Sequence, residues 1–389
     1  MRDLTRGLAV GAVLALGLAG CSSPTAAPQD GAAKGPVKIG LVYSKTGALA
    51  SYGKLYAEGF RAGLDYATKG TGKVNGRPVE VTEADDAGDP AKAVSAATDL
   101  IGKGTRILAG STSSGVALQV APVAEQNNVL FVSGPAATDA VTGINKHTFR
   151  SGRQTTQDVR TAAQFIGDAK GRKVVVFAQD NAFGKANVDG VRAVLGPEGA
   201  TVEGLLVAPT ATDFTPFALQ AKAAKADLLY VAWAGATANA MWSALGQQGV
   251  LDSTTVVTGL DIKASYAAYG PIAEKVNLLS HYFAGAAGTD VEKAMAERVT
   301  KAGGEVDLFT VDGFTAAQLI VHAAEAGDDP AAMVKALEGW SFDGVKGRLT
   351  VRAVDHALLQ PMFQARLTAT GPVLVKKVDA GTVAPPEKK

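Results

Sequence analysis

The densest run of potential chemistry in the chain is Gly110-Ser111-Thr112-Ser113-Ser114-Gly115, a set of hydroxyls between two glycines. Its spacing is not the G-x-S-x-G of a hydrolase nucleophile elbow. None of the histidines, His147, His281, His322 and His356, can be assigned as its base from sequence. A polar, glycine-flanked turn ahead of a helix fits a cap or a binding loop better, because hydroxyls and free N–H groups at a helix start suit an anion. The histidines lie far apart, without paired metal-ligand spacing. The single cysteine, Cys21, allows neither an intrachain disulfide nor a cysteine-based zinc site. The turn after the first apolar run reads Tyr43-Ser44-Lys45-Thr46-Gly47, so no G-x-G-x-x-G follows it, and no Gly-Lys is followed by Ser or Thr. No catalytic residue, metal or cofactor is assigned, and no enzymatic activity is expected.

The elements that must position these residues alternate along the chain. Val37 to Val42 is a short apolar run, followed by a helical pattern from about Tyr52 to Ala67. Val79-Glu80-Val81 comes next, then Asp89-Pro90, an N-cap with a proline in the first turn. Arg106 to Ala109, a helix from about Gly115 to Gln126, and Val129 to Val132 continue the order. It restarts with Lys173 to Phe177, Val202 to Val207, Asp227 to Val231 and Thr255 to Val257. Strand–helix–strand order implies parallel sheets with helices on both faces, and ligands in such sheets bind outside the carboxyl ends of the strands. The 389 residues suggest two domains, 47% are hydrophobic, and 38 basic against 37 acidic side chains leave a net charge of +1. That balance excludes a disordered chain and gives no pull toward nucleic acid.

The first thirty-five residues read as an address. Arg2 and Arg6 precede Gly7 to Gly20, a stretch of small and apolar residues too short for a membrane span of about 20 residues. It ends in Leu18-Ala19-Gly20-Cys21, which resembles the lipobox of bacterial lipoproteins. The resemblance implies cleavage after residue 20 and a lipid on the Cys21 sulfur. Residues 21–36, rich in Ala, Pro, Ser and Gly, are expected to be a flexible tether.

Several segments together resemble the branched-chain amino-acid (Leu/Ile/Val)-binding proteins, the type I periplasmic binding proteins of ABC importers. They are Val37 to Leu41 with Thr46-Gly47 and Ser51-Tyr52-Gly53; Val74-Asn75-Gly76; Asp85-Asp86 and Asp89-Pro90; Ser113-Ser114-Gly115; Ala121-Pro122; and Ser133-Gly134-Pro135-Ala136-Ala137-Thr138. Ala182-Phe183-Gly184 and Gly259-Leu260-Asp261 follow in the second half. The implied fold is α/β, two Rossmann-like lobes joined by a three-segment hinge that closes around a solute. The lobes are expected at residues 37–155 with 283–354, and at 156–282 with 355–389.

The resemblance also implies roles. Ser114 and Thr138 would hold a ligand carboxylate with their hydroxyls and Ala136 with its backbone, while Tyr52 and Phe183 would line the cleft. Asp261 would take a ligand ammonium, and Trp233 with Ala234 would supply a further cleft contact. The expected function is a lipid-anchored receptor, monomeric, outside the cytoplasm, that captures an amino acid with an apolar side chain and delivers it to an ABC permease. The alternatives are the same role for a small aromatic acid, amide or urea; a sensory module of the same fold; and an extracellular hydrolase around Ser111 to Ser114.

Overall fold

The computed structural model describes residues 35–388. The expected signal segment at 1–20, Cys21 and the expected tether up to residue 34 lie outside the described residues.

The first sheet contains β1 (Val37–Tyr43), β2 (Lys73–Val74), β3 (Arg77–Asp85), β4 (Ile107–Ala109), β5 (Leu130–Ser133) and β6 (Thr148–Arg150) in the order β2-β3-β1-β4-β5-β6. All its pairings are parallel except β2 with β3. Its helices are α1 (Ala50–Ala67), α2 (Pro90–Gly102) and α3 (Ser114–Gln126). The central strands β1, β4 and β5 are near-continuous Val, Ile, Leu and Phe because both faces are covered, as parallel sheets require. The Asp89-Pro90 signal is realised: Asp89 Oδ1 accepts from the N–H groups of Ala91 at 2.8 Å and Lys92 at 3.2 Å, and α2 starts there.

The chain then enters α4 (Thr155–Ile166) and builds a second sheet. Its parallel strands are β7 (Lys173–Gln179), β8 (Thr201–Val207), β9 (Leu228–Ala232), β10 (Thr255–Gly259) and β11 (Val276–Ser280). Between them lie α5 (Ala182–Leu195), α6 (Thr215–Ala223), α7 (Ala238–Gln247) and α8 (Tyr266–Tyr269). Returning to the first lobe, α9 (Asp290–Lys301), α10 (Thr310–Glu325) and α11 (Pro330–Leu337) precede a small antiparallel sheet of β12 (Ser341–Gly344), β13 (Gly347–Val351) and β14 (Leu358–Leu359). The last strands, β15 (Met362–Thr368) and β16 (Gly371–Val378), add antiparallel to β11, and α12 (Ala380–Val383) packs on α4. This is the alternating two-lobed α/β architecture expected from the sequence.

Near the expected crossings, Phe283 packs on Phe363 in the second-lobe core. β14 pairs with β13, and Leu358 belongs to the first-lobe core.

α1 and α10 cross closely because a glycine on each faces the backbone of the other. A Cβ on Gly313 would overlap the Tyr56 carbonyl oxygen, and one on Gly59 would overlap that of Thr310. This contact fixes the start of α1, and with it Tyr52. Among the described residues no helix is long and apolar enough to cross a membrane, and no group of His, Cys, Asp and Glu is arranged to hold a metal ion.

Candidate functional site

The carboxyl ends of strands from both sheets open onto one cavity of about 560 Å³. The first lobe contributes the start of α1 at Tyr52, the start of α3 at Ser113 to Gly115, and Pro135 and Ala137 after β5. The second lobe contributes the start of α5 at Asn181 to Phe183, Trp233 and Ala234 after β9, the start of α7, and Asp261 after β10. Four helix N-termini therefore meet at the cavity, a concentration of partial positive charge suited to an anion.

Ser113 caps α3, its Oγ accepting from the Val116 N–H at 3.4 Å. The Ser114 Oγ accepts from the Thr138 N–H at 3.3 Å, which orients the hydroxyl while leaving its proton to be donated. Asp86, buried beneath the loop, accepts from the hydroxyls of Ser44 at 2.7 Å and Ser111 at 2.5 Å. The hydroxyl run is thus split between scaffold and site. Ser111 braces the loop, and Ser114 faces the cavity.

Tyr52, Ser114, Phe183, Trp233, Ala234 and Asp261 all line the cavity. Ala136 and Thr138 are not among its lining residues. The Ala136 N–H donates to the Ser111 carbonyl at 3.2 Å, and its own carbonyl accepts from Arg150 Nη2 at 2.7 Å. The Thr138 Oγ1 accepts from the Ala140 N–H at 3.3 Å, capping a short 3-10 turn. The Ala136 backbone groups are thus used within the protein and the Thr138 hydroxyl serves as a cap, while the neighbours Pro135 and Ala137 line the cavity.

Asp261 is already engaged across the cleft. Its Oδ1 accepts from the Tyr52 hydroxyl at 2.7 Å and from the Ile262 N–H at 2.7 Å. Burial pushes its carboxyl above the usual range, opposed by the hydrogen bonds from Tyr52, Ile262 and Ser265. The Tyr52 hydroxyl also accepts from the Gly235 N–H at 3.0 Å, and its own pKa rises well above the ordinary value through burial and the nearby Asp261 charge.

The sequence reading missed a charged floor. Partly buried Arg153 and buried Asp158 line the cavity at the first lobe crossing. Arg153 Nε donates to Asp158 Oδ2 at 3.2 Å, Nη1 donates to the Pro135 carbonyl at 2.9 Å, and the guanidinium lies 6.0 Å from the Phe309 ring centroid. The other Asp158 oxygen, Oδ1, is buried with no hydrogen-bond partner among the described residues. Burial raises its pKa, with Arg153 and then His281 pulling it down. His281, on the same cavity, lies 3.3 Å from Asp312, and burial lowers its pKa. The available signal was a charged pair flanking the helix start Gln154-Thr155-Thr156-Gln157, which a local pattern cannot distinguish from an ordinary capped helix.

A two-lobed α/β body with a cavity at the strand ends is matched by the family model for periplasmic binding proteins over residues 36–372. The chain belongs to that family. It is one of solute-binding receptors of ABC transporters, not of enzymes. The binding protein is 31% identical to an ABC-type branched-chain amino acid transporter protein of known structure from Rhodopseudomonas palustris CGA009; the match covers 89% of this chain and 97% of that one, with a TM-score of 0.73. It is 32% identical to the Leu/Ile/Val-binding protein BraC3 of Rhizobium johnstonii over 197 residues, half of this chain and 53% of that protein. A solute-binding protein from R. palustris in complex with 4-hydroxybenzoate shares the fold at 20% identity, with a TM-score of 0.80 over 88% of this chain and 97% of that one.

Proposed function

We propose that this binding protein captures an amino acid with an apolar side chain between its lobes and delivers it to an ABC permease. The observation that carries the reading is the coexistence, on one cavity, of an anion site and a carboxylate with one oxygen left unpartnered. The start of α3 with the Ser114 hydroxyl suits a carboxylate, and Asp158 Oδ1 suits an ammonium. A buried carboxylate without a full set of donors is costly, and an incoming cation relieves that cost. Asp261, whose Oδ1 already takes two donors, becomes chiefly a rim contact to Tyr52.

The test is calorimetric titration with an apolar amino acid and with the same acid lacking its amino group. Wild type should prefer the amino acid, and Asp158→Asn should cost it about 2–5 kcal/mol while changing the deaminated acid little. A wild-type preference for the deaminated acid overturns this reading in favour of an aromatic or other simple carboxylic acid.

Members of this family work outside the cytoplasm. The anchoring we propose is a lipid on Cys21, which the Leu18-Ala19-Gly20-Cys21 junction supports, with the protein acting as a monomer at the end of its tether. Cys21→Ser should release the protein or leave its leader uncut, and full membrane retention of a processed variant refutes the anchor.

A further inference from the structure

The second-lobe wall of the cavity has spent most of its polar groups within the protein. Tyr230 donates to Asn187 Oδ1 at 3.1 Å, and Asn187 Nδ2 donates to the Phe183 carbonyl at 2.9 Å. Tyr269 donates to the Gly259 carbonyl at 3.0 Å, Trp233 Nε1 to the Thr237 hydroxyl at 3.0 Å, and the Thr258 hydroxyl to the Val231 carbonyl at 2.9 Å. What these side chains offer a ligand is therefore ring face, ring edge and hydrocarbon. Trp242 extends the surface, its ring 5.6 Å from that of Tyr269, and Phe183 adds a partly exposed ring at the start of α5.

The cavity volume of about 560 Å³ lies within the range of about 300–1,000 Å³ typical of pockets for drug-sized ligands, so it admits a side chain larger than the branched aliphatic ones. A flat ring laid on this wall gains from offset or edge-to-face contact with its aromatic side chains beyond the area it buries.

We infer that the solute is an amino acid with an unsubstituted aryl side chain, larger than the branched aliphatic ones. The inference rests on the zwitterion reading above and narrows its side chain. A ring hydroxyl is disfavoured along this wall, because the Tyr230, Tyr269, Trp233 and Asn187 donors are already paired.

The test is titration of the full chain with phenylalanine, leucine, tyrosine and 3-phenylpropanoate. Phenylalanine should bind at least tenfold more tightly than leucine or tyrosine. Phe183→Leu should narrow the phenylalanine–leucine gap at least threefold, and Trp242→Leu should do the same where that variant folds. Leucine binding as tightly as phenylalanine overturns the aryl assignment while sparing the zwitterion reading. Equal or tighter binding of 3-phenylpropanoate overturns the zwitterion reading, and no binding of any of the four overturns both. A phenylalanine–leucine gap unchanged in Phe183→Leu and in folded Trp242→Leu overturns the role of the aromatic wall.

Discussion

The Tyr52 hydroxyl and Asp261 Oδ1 meet at 2.7 Å across the cleft, although 209 positions separate them in sequence. Tyr52 stands at the start of α1 in the first lobe, and Asp261 follows β10 in the second. The Gly235 N–H donates to the same hydroxyl, so one phenol ties two loops of the opposite lobe. Lys263 reinforces this edge, its N–H donating to Asp307 at 2.9 Å and its ammonium to Glu305 at 2.6 Å. The contacts hold only while the lobes are together, which makes them a latch on the closed state.

Tyr52→Phe keeps the ring against Phe309 and removes the latch. A hydrogen bond to a charged group is worth about 1.5–3 kcal/mol, so ligand affinity should fall roughly tenfold to a hundredfold. Small-angle scattering of the ligand-free variant should show a larger radius of gyration than wild type. Unchanged affinity and radius would assign Tyr52 to packing alone.

Ser114 and Thr138 should separate cleanly. Ser114→Ala removes a donor facing the cavity and should weaken carboxylate binding at least about tenfold. Thr138→Ala should leave affinity near wild type and cost about 0.5–2 kcal/mol of stability as a lost cap. Titration and denaturant unfolding of both variants measure the two effects.

Lys346 sets a pH signature of stability. It is fully buried, its ammonium donating to the Gln360 side chain, and burial lowers its pKa from 10.5 to about 8, with Asp312 and Asp158 opposing the shift. Between those values the unfolded chain binds more protons than the folded one, so this lysine's contribution to stability rises with pH from about 8 toward 10.5. Below about 8 both states carry the charge and the cost of burying it is constant. Urea midpoints of wild type between pH 8 and 10 should therefore rise relative to those of Lys346→Met, whose curve lacks this component. Parallel curves would mean the lysine titrates normally.

Two glycine-to-alanine changes should act in opposite directions. Gly313→Ala drives a methyl into the Tyr56 carbonyl between α1 and α10, and should destabilise by about 1–3 kcal/mol or more. Gly102, at the end of α2, has open space around a Cβ and no positive φ. Gly102→Ala should stabilise by about 0.5–1 kcal/mol through a less flexible unfolded chain. Thermal unfolding of the pair checks the sign of each.

The sequence by itself determined the alternation of elements, because apolar runs and helix periodicity are local consequences of which faces are buried. It located the start of α2 from Asp89-Pro90, and it marked Tyr52, Ser114, Phe183, Trp233 and Asp261 for a cleft through a family pattern. Only the tertiary structure decided which groups remain free in that cleft. Thr138 and Ala136 sit beside residues that do line it, yet the Thr138 hydroxyl caps the turn at Ala140, and Ser111 and Arg150 hold the Ala136 backbone. Arg153 and Asp158 reach the cavity because β6 and α4 meet at the crossing between lobes, where Pro135 and Phe309 close around them. Local pattern reports burial one element at a time. Whether a buried polar atom is left for a ligand depends on which distant partner satisfies it first, and that is settled by packing.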